Sequence, residues 1–199
     1  MTNGVITTTI LGDPELVRRY ADRMLELGRK YNLPPQQAMA AYHLAWVEAR
    51  AGDMVRGLEE MAGLYERVTR IGPIVLLYKM MYLDQLLRAG WLEDALAAAD
   101  KIVGELRFPD RGLVLAEIYR LRGDCLAALG RHDEAIPQLI GAEAMARRDG
   151  AGLLQLRAAM SLYRARADER STRTLQAALA LFPPDRTSPE LVEARGLFS

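Results

Sequence analysis

AEIYRLRGDCLAALGRHDEAIPQLIGAEAMARRDG, residues 116–150, reads as two helices joined at Gly130, and the same grammar recurs on both sides of it. In the first helix Val114, Ile118, Leu121 and Cys125 follow one another at spacings of four, three and four, while Leu115, Tyr119, Leu126 and Leu129 fill an adjoining stripe. A helix with two apolar stripes has to be packed from two sides. Gly130 can take a positive φ once the helix ends, and Asp133 and Glu134 place negative charge at the start of the next one. There Ala135, Leu139, Ala142 and Ala146 repeat at four, three and four, small enough for a paired helix to approach closely, until Asp149 and Gly150 end the unit. Pro137 lies near enough to the helix start to be tolerated, at the loss of about one backbone hydrogen bond.

Outward from this unit the pairs are regular: 35–51 with 54–70, 73–89 with 92–106, and 111–129 with 132–148. Their turns contain Gly52, Gly90 and Gly130, each followed six positions later by an aliphatic residue, Leu58, Leu96 and Ile136. A last pair, 151–167 with 171–182, has Asp168 where the turn glycine is expected, and a short helix over 189–198 closes the chain. At the other end a helix starts near Asp13 or Pro14 and uses Leu16, Tyr20, Met24 and Leu27 before stopping at Asn32, ahead of Pro34 and Pro35. Residues 1–12 are polar and β-branched without an amphipathic period, and read as a flexible leader or a short extended segment. The expected organisation is an all-α chain with one helical-repeat domain over 13–199.

Counted from Gly130, Tyr119, Gly123, Ala135 and Ala142 fall where tetratricopeptide repeats place a bulky aromatic, a small residue and two alanines, so the unit resembles a slightly long tetratricopeptide (TPR) repeat. Two stretches, AEIYRLRGDCLAALGRHDEA (116–135) and TSPELVEARGLF (187–198), resemble the C-terminal repeat region of bacterial proteins that join an adenylate or guanylate cyclase domain to an ATPase of the AAA or STAND type. The likeness covers roughly residues 12–199. It implies a TPR-like superhelix of antiparallel helix pairs, an interaction or regulatory scaffold tied to cyclase- or ATPase-linked signalling. The chain would be a fragment of such a protein or a stand-alone descendant.

Lys plus Arg and Asp plus Glu each number 26, so the net charge is zero and composition makes no case for nucleic acid or an acidic membrane. The single cysteine, Cys125, lies on an apolar stripe, as a small buried residue of a reducing cytoplasm would. The start has no basic region followed by an apolar core, and no apolar run approaches the ~20 residues of a membrane span. No phosphate loop or dinucleotide fingerprint is found. His43 and His132 fall in different repeats without ligand-like neighbours, and adjacent acids such as Glu59 and Glu60 diverge on a helix. No catalytic, cofactor-binding or metal-ligating residues are expected, and the reading is a non-enzyme.

In TPR-like arrays the first helix of each pair lines the concave face. Transferring its positions from each turn glycine selects Tyr42, Trp46 and Arg50, then Met80, Asp84 and Arg88, then Arg120 and Asp124. Aromatic anchors with charges beside them suit a protein or peptide partner; Tyr42 and Trp46 would equally fill the space between consecutive repeats. A small-ligand sensor arm, as in STAND-type transcription regulators, is the alternative reading, and self-association stays open. In the terminal helix Leu191, Ala194, Arg195 and Phe198 form an edge whose large residues are expected to cover Leu175, Leu179 or Phe182.

Overall fold

The computed structural model describes residues 2–70, 75–106 and 113–198; the expected helix starts at 73 and 111 lie outside them. Among the described residues the chain is built from eleven helices and no strand. They are α1 Thr2–Leu11, α2 Pro14–Lys30, α3 Pro34–Ala51, α4 Met54–Val68, α5 Val75–Arg88, α6 Leu92–Glu105, α7 Leu113–Ala128, α8 His132–Arg148, α9 Gly152–Ala165, α10 Glu169–Leu179 and α11 Pro189–Gly196. They form two compact units, Met1–Trp91 and Leu92–Ser199. The boundary between them falls inside the expected pair 73–106.

In the first unit α3 packs on α2, α4 and α5, which is why it carries residues buried on several faces: Tyr42, His43, Ala45, Trp46 and Ala49. The contact with α4 is the tightest. A Cβ on Gly57 would lie 2.3 Å from the Ala49 amide nitrogen, so only glycine allows the two backbones to meet there. The stretch expected as a flexible leader is instead helical and rests on α2. Its sequence, TNGVITTTIL, is a weak helix former with β-branched residues. Tertiary burial of Thr8 and Thr9 compensates, and the end is closed by Asp13 N–H donating to the Thr8 carbonyl and Gly12 N–H to that of Thr9.

The second unit is organised on α7, which packs on α6, α8 and α9. Gly130 stands at φ +75 between α7 and α8, and the Arg131 and Gly130 amides donate back to the carbonyls of Leu126 and Ala127. Gly90 repeats this conformation, whereas Gly52 ends α3 at φ −134 and does not. Across the α7–α8 seam a Cβ on Gly123 would fall 2.6 Å from the Leu139 side chain, and Ala135, Leu139, Ala142 and Ala146 are all buried. Between α9 and α10 a capping box takes the place of the turn glycine: Asp168 accepts from the Ser171 amide at 2.9 Å while the Ser171 hydroxyl accepts from the Asp168 amide at 3.0 Å.

The terminal helix α11 buries Leu191 and Ala194 in one cluster with Leu156, Ala159, Met160, Leu175 and Ala178. Leu197 packs on that cluster, as do Leu179 and Phe182. Phe198, expected as the second large covering residue, remains 41% exposed and meets the Tyr163 ring instead. It lies past the end of α11, beyond the helical register that would have turned it inward.

Candidate functional site

Three of the residues expected to face a groove are core residues. Tyr42 is fully buried, Trp46 nearly so, and Met80 is 8% exposed. The physical reason is that α5 lies against α3, so the face counted off from the turn glycine is the seam between the helices. Tyr42 donates to the Tyr78 backbone carbonyl at 3.0 Å, and the two rings meet edge to face with centroids 5.3 Å apart. Burial, reinforced by the neighbouring phenols of Tyr65, Tyr82 and Tyr78, raises the Tyr42 phenol well above its ordinary range.

At the edge of that seam the charged residues do come together. The Arg50 guanidinium lies 5.2 Å from the Trp46 ring centroid and reaches Asp84 on α5 at 3.3 Å. Asp84 also accepts from Arg88 at 3.1 Å and from the Gln85 amide at 2.7 Å. Arg88 is half exposed, so its ion pair contributes little stability, while its guanidinium is presented to solvent.

In the second unit Arg120 is the hub. Its guanidinium is bidentate to Glu117, at 2.7 and 2.9 Å, and also pairs with Asp124 one turn on. The Ser161 hydroxyl of α9 donates to Asp124 at 3.2 Å. Arg157, also on α9, reaches Glu190 of α11 at 2.6 Å and Glu117 at 3.8 Å, and Arg164 reaches Glu193 at 2.6 Å. A strip of paired charges thus runs from α7 over α9 to α11. Burial raises the Asp124 carboxyl above the ordinary range, opposed by Arg120 and the Ser161 hydroxyl.

The sequence reading missed Glu117, Arg157, Ser161 and Glu190. The triple Glu117, Arg120 and Asp124, spaced three and four apart, was available as a one-face helical pattern. The partners on α9 and α11 carry no such local signal. Arg120 and Asp124 belong to this strip, but as ion-paired residues whose guanidinium is only 13% exposed rather than as open contacts.

The strip can recognise charge and hydrogen-bonding groups; each of its acids meets a guanidinium. The Cys125 thiol is buried and pushed up to about 12, too high to supply a thiolate near neutral pH. His132 opens α8, while His43 lies in the core of the other unit. A shallow depression of about 330 Å³ between α2 and α3 is lined by Pro14, Glu15, Arg18, Arg19, Asp22, Val47 and Ala51. Among the described residues no helix is long and apolar enough to cross a membrane. No family model, curated protein or solved structure matches the chain.

Proposed function

We propose that this chain is a non-enzymatic interaction module of TPR-like, solenoid kind, acting in the cytoplasm and holding a protein or peptide partner on the faces lined by its first helices. One observation carries the reading. Six residues before Gly90 and six before Gly130 stand Asp84 and Asp124, and each accepts a hydrogen bond from the neighbouring first helix, from Arg50 on α3 and from Ser161 on α9. An acid at the same offset from the turn glycine thus ties two first helices together within each unit, on the preceding helix in one and the following helix in the other, and this recurrence supports a repeat reading. Within each unit these contacts leave guanidinium and carboxylate groups beside them that suit an extended peptide. The likeness to cyclase- and ATPase-linked repeat regions supports a place in such signalling.

The test is a peptide array probed with the intact chain, followed by titration of the binding peptides with Arg88→Ala. That variant removes an exposed ion pair, so its melting temperature should match that of the parent. Peptide affinity should fall about tenfold, ~1.4 kcal/mol. A chain that binds no peptide on the array, or one whose affinity is indifferent to Arg88, counts against the reading.

A further inference from the structure

His43 is fully buried in the first unit, and α1 is what reaches it from the N-terminal side. The Thr9 hydroxyl lies 3.3 Å from Nδ1, both groups buried, while Nε2 has no hydrogen-bond partner among the described residues. The ring is tilted against Tyr78, centroids 5.7 Å apart. A neutral imidazole fits this arrangement, since its one N–H can donate from Nδ1 to the Thr9 hydroxyl and only an acceptor nitrogen stays unpaired. An imidazolium does not, because both ring nitrogens then donate and a net charge sits in an apolar core.

Among the described residues the surroundings offer the charge no compensation. Helix α1 contains no ionisable side chain. From α2 the buried face is Val17, Ala21, Met24 and Gly28, with Glu15, Arg18, Arg19 and Asp22 turned to solvent and the Tyr20 phenol half-buried. The buried face of α4 is Gly57, Leu58, Met61 and Val68. Tyr42 and Tyr78 are neutral phenols, Lys79 on α5 is itself a cation, Glu48 accepts from the Asp53 amide, and Asp84 is paired with Arg50 and Arg88. Desolvation alone lowers the imidazole to about 3.

The covering helix is also the weak one. TNGVITTTIL combines a glycine with β-branched residues, has no acid in its first turn and no base in its last, and packs on α2 over only ten residues. Helices this short are marginal alone, so opening of α1 is less costly than opening of α3, whose core faces are covered on several sides.

We propose that α1 is a proton-operated latch, closed over His43 while the imidazole is neutral and lifted when the ring takes up a second proton. With α1 lifted the ring meets water and regains its ordinary basicity, near 6.5. The closed state is therefore fully favoured above that pH. Its advantage falls by about tenfold per pH unit as the pH drops below 6.5 toward the folded value.

Amide hydrogen exchange on the full chain, corrected for intrinsic rates, tests this. Between pH 6.5 and 4.5 protection of the α1 amides should fall roughly 50-fold, approaching tenfold per unit at the acid end, while the α3 amides around Tyr42 and Val47 keep theirs. In His43→Gln the α1 protection should be flat over the same range. Imidazole nitrogen NMR of the parent chain should show His43 gaining its proton in step with α1 opening, a readout that stands even where His43→Gln fails to fold. The latch is overturned by α1 protection that does not change with pH, by a change that persists in His43→Gln, by α1 and α3 opening together, or by a ring that stays neutral while α1 opens.

Discussion

The Tyr42 hydroxyl donates to the backbone carbonyl of Tyr78 across 3.0 Å, joining α3 to α5 inside the first unit. Tyr42→Phe keeps the ring contact and removes one buried hydrogen bond, so it should cost about 1 kcal/mol in urea unfolding. Tyr42→Ala empties a fully buried site and should cost roughly 3 to 5 kcal/mol. An alanine variant of parental stability would return Tyr42 to the role of an exposed anchor.

Two glycines of one helix should respond with opposite sign to alanine. Gly63 in α4 has open space where a Cβ would go, so Gly63→Ala should stabilise by about 0.5 to 1 kcal/mol through helix propensity alone. At Gly57 the same methyl would meet the Ala49 and Ala45 backbone at 2.3 and 2.7 Å, and backbone cannot swing aside as a side chain does. Gly57→Ala should therefore destabilise, and thermal melts of the two variants should move in opposite directions.

On the α7–α8 seam Ala135 is fully buried, and its carbonyl lies 3.4 Å from where a Cβ on Gly123 would stand. Ala135→Phe should cost roughly 1 to 3 kcal/mol by overpacking. Denaturant unfolding that leaves the midpoint in place would mean that the seam is not closed.

Arg120 neutralises two acids that are themselves largely covered, Glu117 and Asp124. Arg120→Ala leaves Glu117 to the more distant Arg157 and Asp124 to the Ser161 hydroxyl, and should lower stability by roughly 3 kcal/mol. Arg120→Lys keeps the charge but not the fork that spans both carboxylate oxygens of Glu117, and should lie in between. If Arg120→Ala instead unfolded like the parent, the hub would be an open contact rather than a lock.

Truncation after Pro184 removes α11, and with it Leu191 and Ala194 from their cluster and Glu190 from Arg157. Burial of Leu191 alone is worth about 1.5 to 3 kcal/mol. The shortened chain should melt at lower temperature and self-associate through the uncovered Leu156, Met160 and Leu175 surface. Unchanged melting together with an unchanged mass by light scattering would show that the segment does not cap.

What the sequence determined by itself was local: where helices begin, end and turn. Helix α8 runs His132–Arg148 because the apolar period, the acids of its first turn and the flanking glycines all act within a few residues of one another. Glu117, Arg120 and Asp124 could be read as one face for the same reason. Helix α1 could not, because its weak propensity is offset by a contact such as Thr9 with His43, 34 residues away. Nor could the burial of Tyr42, Trp46 and Met80. The count from the turn glycine selects a face of α3, but which side of that face is covered depends on where α5 comes to lie. Side-chain packing between helices decides that, just as it brought Ser161, Arg157 and Glu190 to the strip on α7. Periodicity tells a helix which face to bury; only the packed partner determines what is left for a ligand to touch.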